Sequence, residues 1–306
     1  MPGLFIIFSD QKHIHITSGD CMAFKTYLRK NLYNIITFII LFSLSFAHMV
    51  TNKFHTVSSD TAYVKMPILM YHGFTISQKT SDYVINIQDF ENDIIYLKEN
   101  GFSFINTQDL INYVYHNKTL PKKPVMITFD DGYLNNYTYA FPVIKKHNVK
   151  VVISPIAYYV EYYSLNNESD PLYTQLTTKE IYEMHKSGLA DFQNHSYNMH
   201  SLDDRRGSSK KTNEKSEDYI REFYYDLKKA ETVLKEITGI KPHAYTYPFG
   251  SYNEESLSVL KCSGYKITLS CREGTNYISK DKSSLYMLKR FNRTPQKSAM
   301  QILSQY

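Results

Sequence analysis

The chain has 306 residues, 42% hydrophobic and 21% charged, with a formal net charge of +5. These are ordinary globular proportions, and the length leaves room for one large α/β domain or two small ones once the N-terminal stretch is set aside. The charge is spread along the chain as a solvated surface would have it, and the lack of a compact Lys/Arg cluster interleaved with aromatics argues against a nucleic-acid partner.

From Ile35 to Ala47 the chain reads IITFIILFSLSFA, without a charge, after Lys25, Arg29 and Lys30. A positive stretch followed by an apolar core is the pattern of an export signal, and Ser45-Phe46-Ala47 offers small residues for cleavage. Extended from Leu32 to Val50, the segment nearly reaches the ~20 residues of a spanning helix, so a signal peptide and an uncleaved membrane anchor both remain open. Either way the remainder is expected outside, on the extracellular face of the membrane or secreted. The expected organisation is residues 1–50 as signal or anchor, 51–65 as a polar linker and 66–306 as the functional domain.

Beyond the linker, strand and helix signals alternate. Met66 to Tyr71 is a short apolar run of strand length. Phe90, Ile94 and Leu97 recur at helical spacing, and Gly101 ends that helix. Phe102 to Ile105 reads as a strand, and Thr107 as the cap of a helix through Tyr115. Val125 to Phe129 is a buried strand, followed by helical sequence to His147 and a strand from Val149 to Ile153. Thr177-Thr178-Lys179-Glu180 is a capping box for a helix ending at Gly188, and Leu189 to Asn194 is the next strand. Leu202 to Ser216 is polar and reads as a loop or a locally disordered stretch. A helix spans Glu217 to Thr238. A strand at Ala244 to Tyr247, a helix at Glu254 to Ser263 and a strand at Lys266 to Ser270 complete the series. Repeated strand–helix units call for parallel strands with helices outside, as a barrel or a doubly wound sheet. Near the end, Cys262 and Cys271 flank a turn and a strand and could form a disulfide outside the cell, or remain two buried free thiols. No cysteine pair has CxxC spacing, so a thiolate zinc site is not expected.

Three clusters fall just past strand ends, where parallel α/β folds place their active sites. Thr128-Phe129-Asp130-Asp131-Gly132 sets two adjacent carboxylates at the end of a buried strand, a costly arrangement unless something neutralises them. A bound divalent metal would do so; the alternative is a plain Asp-Gly turn. His195-Ser196-Tyr197-Asn198-Met199-His200 holds two imidazoles five apart, which converge on one ion if the segment curls, or are two surface histidines. Tyr245-Thr246-Tyr247-Pro248-Phe249-Gly250 brackets a rigid turn whose backbone N–H could face an oxyanion; a simple strand-to-helix turn explains it equally well. Asp131, His195 and His200 would together make a three-ligand site with one position left for water, as in catalytic zinc sites, and Asp130 would be free to act as a base.

These clusters, in this order, resemble the polysaccharide deacetylase family, also called the NodB-homology domain or carbohydrate esterase family four. TFDDG resembles its first motif, HSYNMH its paired-histidine motif in the longer spacing, and YTYPFG its third; PILMYHGF, with His72, is similar to its first strand. The resemblance implies a distorted (β/α) barrel and hydrolytic removal of N-acetyl groups from an amino-sugar polymer. It implies Asp131, His195 and His200 as metal ligands, Asp130 as base and Phe249 in the place of a backbone oxyanion donor. The metal it implies is Zn²⁺, with Co²⁺ or Ni²⁺ as substitutes. Two departures stand out. Thr246 occupies the place of an arginine that orients the base, for which Arg290 is the candidate substitute and a surface cation the alternative. No late Leu-x-His motif supplies the general acid, for which His72 is the candidate. Both departures, with the longer histidine spacing, are similar to the poly-N-acetylglucosamine deacetylase branch. Expected partners are an N-acetylated polysaccharide, the membrane if the N-terminal segment is retained and, by analogy, an exopolysaccharide synthase complex. An acetyl-ester or cyclic-amide hydrolase on the same fold, and a degenerate glycan-binding protein, are the alternatives.

Overall fold

The computed structural model describes residues 63–166 and 168–304. The expected export segment and nearly all of the expected linker lie outside the described residues. Among the described residues, no helix is long and apolar enough to cross a membrane.

The first strands are β1 (Val64–Met66), β2 (Ile68–Tyr71), β3 (Gly73–Thr75) and β4 (Val84–Asn86). Pro67 splits the single expected strand at 66–71 into β1 and β2, because proline has no N–H to give to a ladder. Its carbonyl still accepts from the Met126 amide at 3.2 Å. Helix α1 (Ile87–Glu99) buries Phe90, Ile94 and Leu97 on one face, as their spacing requires, and Asn86 caps it by accepting from the Gln88 amide. After β5 (Ser103–Phe104) comes α2 (Thr107–Tyr115). Its cap is Asn106 rather than Thr107: Asn106 and Asp109 form a reciprocal capping box. Thr107 is already helical, and its buried hydroxyl donates to Asp191.

Strand β6 (Pro124–Asp131) is buried at every position, as a parallel strand covered on both faces must be. A π-helical turn at Asn136–Ala140 leads into α3 (Phe141–His147), and β7 (Val151–Pro155) follows. Helix α4 (Ala157–Asn166) has no counterpart among the elements expected from sequence. Its AYYVEYYSLN places tyrosines on several sides, so no apolar stripe emerges, and only Ala157 and Val160 are buried. Helix α5 (Thr178–Lys186) starts at the Thr177/Glu180 capping box and precedes β8 (Ala190–Phe192). The long α6 (Ser216–Thr238) is followed by β9 (Ala244–Thr246), α7 (Glu254–Cys262), β10 (Ile267–Leu269), β11 (Asn276–Ile278), β12 (Phe291–Asn292) and α8 (Ala299–Leu303). The elements after β10 were not legible in the sequence, because they are too short for any period to register.

The strands close into a ring. Hydrogen-bonded neighbours run β12–β2–β6–β7–β8, all parallel. A parallel bridge between Asn194 and Tyr245 carries the ring to β9, which pairs in parallel with β10. A second bridge, Leu269 to Leu288, leads to the segment entering β12. The molecule is therefore a (β/α) barrel, distorted where single bridges replace full ladders. Strand β1 pairs antiparallel with β11 outside this ring.

Alternation along the strands divides the core. Val125, Ile127 and Phe129 of β6 pack outward with Phe90, Ile94, Val151 and Ile153. Met126 packs with Ile68, Val152, Ala244, Ile267 and Leu269 of other strands and with Leu288 of the segment entering β12. Further along β6, the residues in phase with Met126 are Thr128 and Asp130, so the barrel interior turns from apolar to polar towards its C-terminal mouth.

The stretch from Leu202 to Ser216, expected as a loop or locally disordered, is a loop over that mouth as far as Lys215, and Ser216 opens α6. Arg205 is buried and binds Glu214 and Glu222, each at 2.7 Å. Gly207 has φ +54, and a Cβ there would sit 2.5 Å from the Pro248 carbonyl oxygen, so the loop's close approach needs glycine. The chain's end is tied down by a second buried network. Asp93 of α1 accepts from Arg293 (2.5 Å), Tyr71 (3.1 Å) and the Ala299 amide (2.9 Å). Replacing Asp93 by Ala would strand the buried guanidinium, a loss of about 3–5 kcal/mol, readable as a lowered urea midpoint.

Candidate metal centre

Three motif segments reach the barrel mouth, and each contains a non-glycine residue with positive φ: Asp131 (66°), Ser196 (78°) and Phe249 (55°). Such conformations cost of order 1–3 kcal/mol each and persist where the surroundings over-determine them. At Asp131 the consequence is direct. Alternation would send adjacent carboxylates to opposite faces; the left-handed turn brings Asp131 round to the mouth beside Asp130. Gly132, also left-handed at +75°, follows because a Cβ there would meet the Pro155 Cβ at 2.5 Å.

Asp131 Oδ1 lies 3.3 Å from His195 Nε2 and 3.1 Å from His200 Nε2. One ligand atom from each residue falls within 4.8 Å of the others. With bonds of ~2.0–2.1 Å, a tetrahedral zinc ion would space its ligand atoms by about 3.3 Å, close to the two carboxylate–imidazole separations. The donor set fits as well. His195 Nδ1 is 2.8 Å from the Thr246 carbonyl oxygen, which can only accept. Nδ1 therefore carries a proton, so the neutral ring would offer the Nε2 lone pair to a metal, whereas the protonated ring donates from Nε2 to Asp131. The His200 ring rests on Phe249, centroids 4.4 Å apart. Burial opposes the Asp131 charge, but hydrogen bonds from both histidines outweigh it and hold this carboxyl well below the usual range.

Arg290 is fully buried and forks onto Asp130, Nη1 to Oδ1 at 2.6 Å and Nη2 to Oδ2 at 2.8 Å. It is not the surface cation that the sequence left open. Its Nε donates to the Ser270 carbonyl (2.8 Å) and Nη1 also to Thr128 Oγ1 (3.2 Å). Burial works against ionisation of Asp130, but the Arg290 charge, aided by His195 and His72, outweighs it and lowers the pKa. Thr246 is occupied elsewhere, its hydroxyl 2.8 Å from Ser154 Oγ.

His72 follows β2 at the same mouth. Its Nδ1 is buried without a hydrogen-bond partner, and Tyr83 covers the ring edge-on, centroids 4.9 Å apart. Burial lowers its pKa, partly opposed by the charges of Asp130 and Asp131. Cys262 and Cys271 are free thiols, not a disulfide. Cys262 is exposed on α7, so it is not a buried thiol either, while Cys271 Sγ lies 3.6 Å from Arg290 Nη2.

Sequence reasoning missed two contributors. Tyr133 stands by Asp131, and burial first, then that carboxylate, push its phenol pKa up. Asp226 of α6 accepts the amides of Tyr197 (2.8 Å), Asn198 (2.7 Å) and Met199 (3.1 Å), all between the two histidines. No local signal marked it: an acid in a long amphipathic helix reads as surface.

A closed parallel barrel with an Arg-held carboxylate and an Asp–His–His group that could hold a metal ion at its mouth defines the class of this protein. A model of the polysaccharide deacetylase family matches residues 117–268. The chain is similar to the poly-beta-1,6-N-acetyl-D-glucosamine N-deacetylases of Staphylococcus epidermidis (27% identical over 197 residues, 64% of each chain) and Staphylococcus aureus (29% over 200 residues, 65% of each). The chain thus matches about two thirds of the length of these curated relatives, at 64–65%. Among solved structures it resembles IcaB from Ammonifex degensii, 27% identical with a TM-score of 0.65, covering 78% of this chain and 95% of that one.

A metal site built this way stabilises the fold when filled. At 100 times its Kd, Zn²⁺ is expected to add about 2.7 kcal/mol, readable as a raised melting temperature. His195→Ala should abolish that rise.

Proposed function

We propose that the chain is a metal-dependent polysaccharide N-deacetylase acting on an N-acetylglucosamine polymer, with the β-1,6-linked polymer of its curated relatives as the first candidate substrate. The observation that carries this reading is the pairing of an Asp–His–His group with a second carboxylate, Asp130, held ionised by Arg290 beside it. The names of the relatives support the substrate. The expected export segment supports a site of action on the outer face of the membrane or beyond it.

Asp131, His195 and His200 would hold the metal, with Zn²⁺ the best match to two imidazoles and a carboxylate. When bound, it would supply Lewis acidity and lower the pKa of a water molecule. Asp130 would serve as the base that accepts a proton from the water attacking the amide carbonyl. Arg290 keeps Asp130 ionised and fixes the plane of its carboxylate through two parallel bonds. The Phe249 backbone N–H, on its left-handed turn, is the candidate donor to the oxyanion. His72 is the candidate for protonating the departing amine, since its buried Nδ1 has no other partner.

Amine release from N-acetylglucosamine oligomers tests the base. Asp130→Asn should lower kcat by about 10²–10⁴-fold while Zn²⁺ affinity, set by the other three residues, is largely kept. Loss of metal with turnover, or retained turnover, would contradict the assignment.

The pH profile tests Arg290. The active form needs Asp130 ionised, and Arg290 holds its pKa low, so protonation of Asp130 should set in only well on the acid side of neutrality. Arg290→Lys replaces a fork by a single point charge. The acid limb of kcat/KM should therefore move to higher pH.

A further inference from the structure

We propose that Asp226 is the positioning residue that sets the second histidine ligand against the first; this rests on the reading of Asp131, His195 and His200 as a metal site. Four residues separate the histidines, a span that gives a free loop many ways to place His200. The structure ties the span at every step. Asn194 Oδ1 accepts the Ser196 amide at 2.8 Å, and Asn194 Nδ2 donates to the Leu227 carbonyl at 3.3 Å and the Tyr265 hydroxyl at 2.8 Å. Ser196 then takes its left-handed conformation, and the next three amides converge on one carboxylate, that of Asp226, at 2.8, 2.7 and 3.1 Å.

The two ligands are not held equally. His195 has its own anchor, the Nδ1 bond to Thr246. The His200 imidazole instead has the Phe249 ring and Asp131 as its neighbours, so its placement follows from the backbone that Asp226 fixes. Asp226 is well suited to this. It sits midway along a 23-residue helix whose Tyr219, Phe223, Leu227 and Ala230 are buried, so its Cα cannot drift. A carboxylate has acceptor sites enough for three N–H groups, and charge-assisted bonds are roughly twice as strong as neutral ones. Asparagine has the same shape but one acceptor oxygen, and its NH₂ would face an amide N–H.

The test compares wild type, Asp226→Asn and Asp226→Ser by three measurements. Zn²⁺ affinity is read by competition with a chromophoric chelator, coordination geometry by the d–d absorption of Co²⁺-loaded protein, and folding by the metal-free urea midpoint. Loss of a partner that orients a ligand typically costs 10–100-fold in metal affinity. That loss is expected in Asp226→Asn, with an altered Co²⁺ spectrum in a folded protein. Asp226→Ser, which retains one acceptor, carries the same test if Asp226→Asn does not fold. Wild-type Zn²⁺ affinity and an unchanged Co²⁺ spectrum in a folded variant, even one with a lowered urea midpoint, would overturn the proposal and leave Asp226 a structural residue. A wild-type chain that binds neither Zn²⁺ nor Co²⁺ would overturn the metal site itself, an outcome distinct from equal binding by all three proteins.

Discussion

Strand β6 delivers two adjacent carboxylates into a nearly dry place, and keeping both ionised there is the constraint around which the mouth of the barrel is arranged. Each would cost several kcal/mol if left unpaired. The chain answers differently for each. Asp130 receives a buried guanidinium from Arg290, which arrives 160 residues later in sequence on the segment that closes the ring at β12. Asp131 is turned aside by a left-handed residue conformation and faces two imidazoles. Adjacent acids thereby acquire separate environments, one suited to accepting a proton and the other to holding a cation.

The remaining architecture follows from serving those two environments. Ring closure brings Arg290 inside; without the parallel bridge at Leu269–Leu288 and the pairing of β12 with β2, its guanidinium would have no fixed path to Asp130. The strand end at Asn194, bridged to β9, starts the histidine segment, and the carbonyl of Thr246 in β9 fixes the first imidazole. Arg205 and Gly207 then press the following loop against the Pro248–Gly250 turn, whose Phe249 supports the second. The left-handed residues at all three motifs mark where the backbone departs from strand or helix to aim a side chain.

Much of this was legible in the sequence because it is written locally. Apolar runs of strand length, helical spacing at Phe90, Ile94 and Leu97, and the Thr177/Glu180 capping box each depend on neighbours a few positions apart. The three motifs were legible for the same reason: TFDDG and YTYPFG run off the ends of β6 and β9, and HSYNMH comes just after β8. What escaped were features set by contacts distant along the chain. The burial of Arg290 depends on its pairing with Asp130, and nothing in MLKRF separates it from a surface cation. Asp226 meets the histidine loop only through the packing of α6. Helix α4 was lost because tyrosines at several positions erase its stripe, and nothing local in the polar stretch after Leu202 marks the pairing of Arg205 with Glu214 and Glu222.

The central claim is that this mouth hydrolyses the amide of an N-acetylated amino sugar. The most direct measurement is mass spectrometry of β-1,6-linked N-acetylglucosamine oligomers after incubation with the Zn²⁺-loaded chain, with acetate measured in the same reaction. The account predicts oligomers of unchanged length that have lost acetyl groups, with one free amine gained for each acetate released. Oligomers that are shortened, or that stay fully acetylated while the same protein releases acetate from O-acetylated glycans, would contradict it.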